Sequence, residues 1–215
     1  MEALIEQTAA FLQRADFPWA VCGGYALDLF LGRNVRRHSD IDISVFEADR
    51  EKIAGFMLRQ GWQVYQFLGQ GKLRRIVEPA QSEPGRNLMC VQDGCRLVKF
   101  YPCEEKNVFW YEFFHTGIER LEYLEFLFGQ TDGADYIFRQ DIRLPVERAI
   151  LQREGCAFLA PELALLYKAD NADRPEYRQD YEATLPAMDA RQREWLRKGL
   201  EKMYPQGHAW LAEQV

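Results

Sequence analysis

Apolar residues at Leu4, Ile5, Ala9, Phe11 and Leu12 recur at helical spacing, so the pattern predicts an N-terminal helix over residues 2–15. Two short apolar runs follow, Phe17–Cys22 and the β-branched Ile41–Phe46, and both read as buried strands. Between them Ala26–Leu31 resumes a helical pattern that Gly32 ends. Asp49–Gly61 reads as a helix with Glu51, Lys52, Arg59 and Gln60 on its wet face, and Trp62–Phe67 alternates like a strand. Glu78–Arg86, with Pro79, Ser82, Pro84 and Gly85, is a loop. Phe109–Phe114 and Glu122–Phe128 read as strands separated by a turn around Gly117. Asp132-Gly133 centres a turn that makes a hairpin of Glu122–Phe128 and Asp135–Phe138. Past Arg143-Leu144-Pro145 the pattern turns helical, with Pro161 opening one helix and Arg174–Leu185 and Arg191–Met203 following. The expectation is an α+β fold: a short mixed sheet with flanking helices over residues 1–155, then a C-terminal helical lobe over 156–215.

Composition narrows the class. At 215 residues, 47% hydrophobic and 13% aromatic, the chain can bury a core without help from disulfides. A net charge of −6 argues against a nucleic-acid backbone as partner and gives a slight preference for a cationic small substrate. Met1–Glu6 lacks the basic start and apolar core of a secretory signal, and no apolar run reaches membrane-spanning length. Cytoplasmic location with five reduced thiols (Cys22, Cys90, Cys95, Cys103 and Cys156) is therefore expected, with no membrane partner. Cys90, Cys95, Cys103 and His115 lack the paired spacing of a zinc site.

The chemistry concentrates in residues 21–43. Asp40 and Asp42 are two apart at the start of a strand, so their carboxylates project to one face and repel, for which a divalent cation is the usual remedy. Upstream, Gly23-Gly24 lets the backbone approach a ligand closely and feeds a helix N-terminus, a ready phosphate cradle. The null alternatives are a capped turn and a plain glycine turn.

Strand, Gly-Gly, helix and Asp-x-Asp strand together resemble the polymerase-beta-like nucleotidyltransferases. The variant Gly23-Gly24-Tyr25-Ala26-Leu27-Asp28 with Arg37-His38-Ser39-Asp40-Ile41-Asp42-Ile43 is most similar to the small resistance adenylyltransferases that act on aminoglycosides and lincosamides, and to their uncharacterised relatives. Phe138-Arg139-Gln140-Asp141, Leu159–Lys168, Asp180-Tyr181 and Leu185-Pro186 extend the likeness from about Trp19 to about Trp210, most weakly over 62–120.

The resemblance implies a nucleotidyltransferase-type sheet and transfer of a nucleoside monophosphate, AMP from ATP or that of another NTP, to a hydroxyl of a small molecule. Two Mg²⁺ ions held by carboxylates would clamp the triphosphate. Asp40 and Asp42 are then metal ligands, Gly23 and Gly24 cradle phosphates, and Arg37, Arg139 and Lys168 contact the nucleotide. A third carboxylate belongs on a later strand. Glu125, mid-run among apolar residues, is the choice, with Glu122 as the wetter reserve. Lys99 stands where one alignment would need an acid, and Asp93 reads as a turn residue. Arg36 reads as a surface charge, His38 as orienting Asp40 or touching substrate, Asp28 as the partner of an arginine or as purely structural, and Asp180 as an acceptor-side acid or a helix-pairing charge. Trp62, Trp110, Tyr111, Phe113 and Phe114 read as core rather than a base-stacking platform. Two rivals share the motif: an antitoxin-like enzyme that modifies a protein, and a non-catalytic nucleotide-binding relative.

Overall fold

A computed structural model of the chain describes residues 3–114 and 120–212. The turn expected around Gly117, and His115 with it, lie outside the described residues. In chain order the elements are α1 (Ala3–Leu12), β1 (Trp19–Val21), α2 (Gly23–Leu31), β2 (Asp42–Phe46), α3 (Arg50–Arg59), β3 (Gln63–Gly69), β4 (Lys72–Ile76), β5 (Leu88–Val91), β6 (Val98–Pro102) and β7 (Val108–Phe113). They continue as β8 (Tyr123–Thr131), β9 (Asp135–Phe138), β10 (Ile142–Pro145), α4 (Val146–Ala149), β11 (Ile150–Arg153), β12 (Cys156–Leu159), α5 (Pro161–Lys168), α6 (Pro175–Thr184), α7 (Ala190–Met203) and α8 (Ala209–Ala212).

The sheet is mixed, as expected, and longer than expected, running β11-β12-β1-β2-β8-β5-β3-β4-β7-β6, with β9 and β10 branching from β8. The extra length comes from β11 and β12 at one end and from residues 72–102 towards the other, while β7 answers the strand expected at Phe109–Phe114. Strands β4, β6 and β7 carry many charged or aromatic positions and pair as antiparallel ribbons. The β3–β4 turn places Gln70 and Gly71 at φ 52° and 74°, the left-handed pair that matches strand twist in a two-residue hairpin. Two pairs are parallel, β1 with β12 and β2 with β8, and both flank the chemistry-bearing segment. Because β12 joins the sheet beside β1, the all-helical part begins at Pro161, a few residues past the boundary expected at 155/156.

Helix α2 buries Tyr25, Ala26, Leu27 and Leu29, and Gly32 closes it in the left-handed conformation with its N–H on Asp28 O. Helices α5 and α6 pack against α2, and α7 packs against α5, so the helical part sits directly over the Gly-Gly turn. Tyr181 stacks on Trp210 at 4.4 Å and donates to its carbonyl, pinning the last helix to α6. Among the described residues no helix is long and apolar enough to cross a membrane.

Candidate active site

Alternation along β2 and its parallel register with β8 build the centre. Asp42 stands directly beside Glu125, and Ser44 beside Leu127. Asp42, Glu125 and Asp40 together line a cleft of about 410 Å³, which lies within the size range of small-molecule sites. Burial, then the charges of Glu125 and Asp40, push the Asp42 carboxyl well above the usual range, and Lys168 draws it back from a distance. Burial chiefly pushes Glu125 up to about 7; Asp40 adds to this, while hydrogen bonds from Tyr123 Oη (3.1 Å) and Asn87 Nδ2 (3.4 Å) oppose it.

Of the two later-strand acids, Glu125 is the one in the cleft. Glu122 was expected to be the wetter, and the structure reverses this: Glu122 is 2% exposed and bound to Arg120 Nε at 2.9 Å. Glu122 lies just before β8, outside the cleft lining, whereas Glu125 lies within the strand on the cleft. Lys99 lies over the Phe114 ring on β6 and lines none of the cleft, and Asp93 is an exposed turn residue bonded to Gln63.

Gly23 and Gly24 form the first turn of α2 itself, so the helix's free N–H groups start at the cleft. Gly23 has φ +66°, and a Cβ there would meet Asp42 Oδ2 at 2.5 Å. A Cβ on Gly24 would collide with the His38 ring and sit 2.8 Å from Arg36 Nη2. The close approach of these three side chains, as much as any ligand, demands the glycine pair.

Opposite the carboxylates stands a compensated cluster. Asp180 on α6 is fully buried, takes two bonds from Arg36 (Nε 2.9 Å, Nη2 3.0 Å), and pairs with Lys168 Nζ at 3.1 Å. Lys168 also lies 4.2 Å over the Tyr177 ring. Asp180 therefore pairs charges between elements, and Arg36, read from sequence as a surface charge, is half-buried in the cleft wall. Arg37 is exposed and outside the cleft lining. Arg139 pairs with Asp170 and lines a neighbouring groove instead. Asp28 meets His38 Nε2 at 2.7 Å, not an arginine, and takes Val35 N–H at 2.9 Å, while Tyr25 lies against the His38 ring. Phe113 lines the cleft and Trp110 is 45% exposed, so neither is the core residue expected. Sequence reasoning missed Arg174, Glu176 and Tyr177 from the helical lobe, which also line the cleft. The Pro175 helix start beside them was the available signal.

Oxygen donors such as Asp40, Asp42 and Glu125 suit Mg²⁺ in kind. Among the described residues no trio of His, Cys, Asp or Glu is drawn together tightly enough to hold an ion as it stands. Mg²⁺ commonly takes one or two carboxylates and completes its shell with substrate phosphates and water.

A mixed sheet bearing an acidic pair beside a Gly-Gly helix start, capped by a helical lobe, is similar in fold to solved antibiotic adenylyltransferases. The family model of aminoglycoside-2''-adenylyltransferase matches residues 4–74, which hold Gly23, Gly24, Asp40 and Asp42 and end before Glu125. Solved structures agree over nearly the whole chain. The antibiotic-resistance factor ANT(2'')-Ia in solution is 18% identical at TM-score 0.52, with 94% of this chain and 91% of that one covered. In complex with adenylyl-2''-tobramycin it is 17% identical at TM-score 0.53, covering 93% and 96%. The lincosamide antibiotic adenylyltransferase LnuA, lincomycin-bound, is 10% identical at TM-score 0.51, covering 84% and 94%. No curated protein sequence matches.

Proposed function

We propose that this protein is a Mg²⁺-dependent nucleotidyltransferase that moves the adenylyl group of ATP to a hydroxyl of a small molecule. The observation that carries the reading is the β2–β8 register, which sets Asp42 beside Glu125 as a half-buried pair on the cleft that the start of α2 also lines. Repelling buried carboxylates are a standing expense that a divalent cation and its phosphates relieve. Adenylyl transfer is favoured over transfer of another nucleotide because ANT(2'')-Ia was solved with an adenylylated product.

Asp40 and Asp42 would hold Mg²⁺, with Glu125 as third carboxylate. The metal, when bound, neutralises the triphosphate and lowers the pKa of the attacking hydroxyl. The N–H groups of Gly23 and Gly24 receive the β- and γ-phosphates at the positive end of α2. Arg36 and Lys168 meet phosphate charge from the opposite wall, so Arg36 takes the place expected of Arg37. The acceptor oxygen attacks the α-phosphorus while its proton passes to a Glu125 carboxylate oxygen. The bond from that phosphorus to the bridging oxygen then breaks, and pyrophosphate leaves with the electron pair.

Calorimetric titration with ATP tests the reading. ATP should bind with Mg²⁺, weakly without it, and weakly to Asp42→Asn with or without it. Binding indifferent to both the metal and the substitution contradicts it.

A further inference from the structure

The cleft does not end at the carboxylates. Asp42 and Lys168 also line a second chamber of about 160 Å³, whose floor is Ser44 and Leu127 and whose roof includes Tyr167. Leu127 and Tyr167 in turn line a third chamber of about 800 Å³ that reaches Phe138 and Arg139. The three are one groove along a single face of β2 and β8, in the order Asp42, Ser44, Leu127, Gly129. Asn87, on the wall of the third chamber, donates to Glu125, so the groove opens next to the proposed base.

Its charge pattern is the informative part. Among the residues that line the second and third chambers the only acids are Asp42, at the head, and Asp141, at the rim. Asp141 is tied to Arg143 Nε at 2.7 Å, and Arg143 also pairs with Asp132 and lies 3.7 Å from Asp135. Arg139 has its own counterion in Asp170. The hydroxyls are engaged as well: Ser44 Oγ lies 3.2 Å from Tyr136 Oη, which lies 2.7 Å from Tyr167 Oη. Gly129 leaves room for this, since a Cβ there would collide with the Tyr136 hydroxyl. What the groove offers a ligand is apolar surface from Leu127, Ile137 and Tyr167, with the amides of Asn87, Gln130 and Gln140 beside it.

We infer that this groove binds the acceptor, and that the acceptor is an uncharged hydroxylated molecule with an apolar face, such as an alkyl or aryl glycoside, and not a polycation. The inference rests on the nucleotidyl-transfer reading for the word acceptor, but the binding itself does not. A polycation would have to compete with Arg139 and Arg143 for carboxylates that already pair with them. Among the lining residues it would find no acid outside such a pair except Asp42, which is assigned to Mg²⁺. A glycoside instead buries its apolar face on Leu127 and Ile137, and its hydroxyls pair with the amides.

The test is titration of the full chain with hexyl β-glucoside and with tobramycin, each with and without Mg²⁺ and a non-hydrolysable ATP analogue. The glucoside should bind at least about tenfold more tightly than tobramycin, with no dependence on added salt. Leu127→Asp should weaken the glucoside and strengthen tobramycin, and the milder Ile137→Ala, should Leu127→Asp fail to fold, should weaken the glucoside alone. Tighter, salt-sensitive tobramycin binding overturns the inference. So does glucoside binding that ignores both variants, or no glucoside binding at all. Glucoside bound without nucleotide, in a chain that takes no ATP, would sink the transfer reading and leave the groove's ligand class standing.

Discussion

Two charge clusters meet at the cleft, one half-buried and one fully buried, and they are built on opposite principles. Asp42 and Glu125 are like charges in register, raised in pKa, with no ion pair to either among the described residues. Asp180, more deeply buried than either, is held by two cations in good geometry. A carboxylate whose charge is answered inside the protein stabilises the fold; one whose charge is left unanswered is held ready for something that arrives. The difference separates residues kept for structure from residues kept for chemistry more cleanly than burial does, since Glu122 is more buried than Glu125 and belongs with the first kind.

Substitutions sharpen the contrast. Glu125→Gln should lower transfer about 10²–10⁴-fold, while Glu122→Gln should leave it within about twofold, measured by pyrophosphate release. An equal loss in both would break the distinction between them. Asp180→Ala should destabilise the chain by about 3–5 kcal/mol in urea unfolding, because Arg36 and Lys168 would lose their shared counterion. Asp42→Asn, which removes a repulsion, should instead leave stability unchanged or raise it by about 1 kcal/mol.

Another buried carboxylate extends the comparison beyond the cleft. Glu162, in the first turn of α5, is 1% exposed; its Oε2 has no hydrogen-bond partner, and Arg148 reaches only to 4.0 Å of Oε1. Burial pushes it from 4.5 up to about 7. The folded state therefore holds this proton more tightly than the unfolded chain does. The contribution is fully present below about pH 4.5 and is lost as pH rises through about 7. Glu162→Gln should be more stable than the parent by about 1–3 kcal/mol at pH 8, with the difference narrowing below pH 5.

What the sequence revealed follows the same divide between local and distant causes. Ile41–Phe46, the Gly23-Gly24 start and the Gly32 stop are legible because each is set by neighbours a few residues away. The third acid was within reach of strand alternation, since Glu125 shares a face with Tyr123 and Glu122 cannot. The role of Asp180 was not legible, because Arg36 lies 144 residues away in the chain. Nor was the parallel pairing of β2 with β8, which no local pattern encodes. Strands β4 and β6 escaped for a different reason, since their half-solvated, charged positions weaken the apolar signal that marks a strand, whereas β7 was expected at Phe109–Phe114.

The central claim is that Asp42 and Glu125, which have no ion-pair partner among the described residues, are held ready to receive a metal with its phosphates. Equilibrium dialysis of Mn²⁺ against the protein, with a non-hydrolysable ATP analogue at matched free concentration, tests this most directly. Protein-bound metal should be lost in Asp42→Asn, reduced in Glu125→Gln and unchanged in Glu122→Gln. Retention of the metal by Asp42→Asn at the parent level would contradict the account.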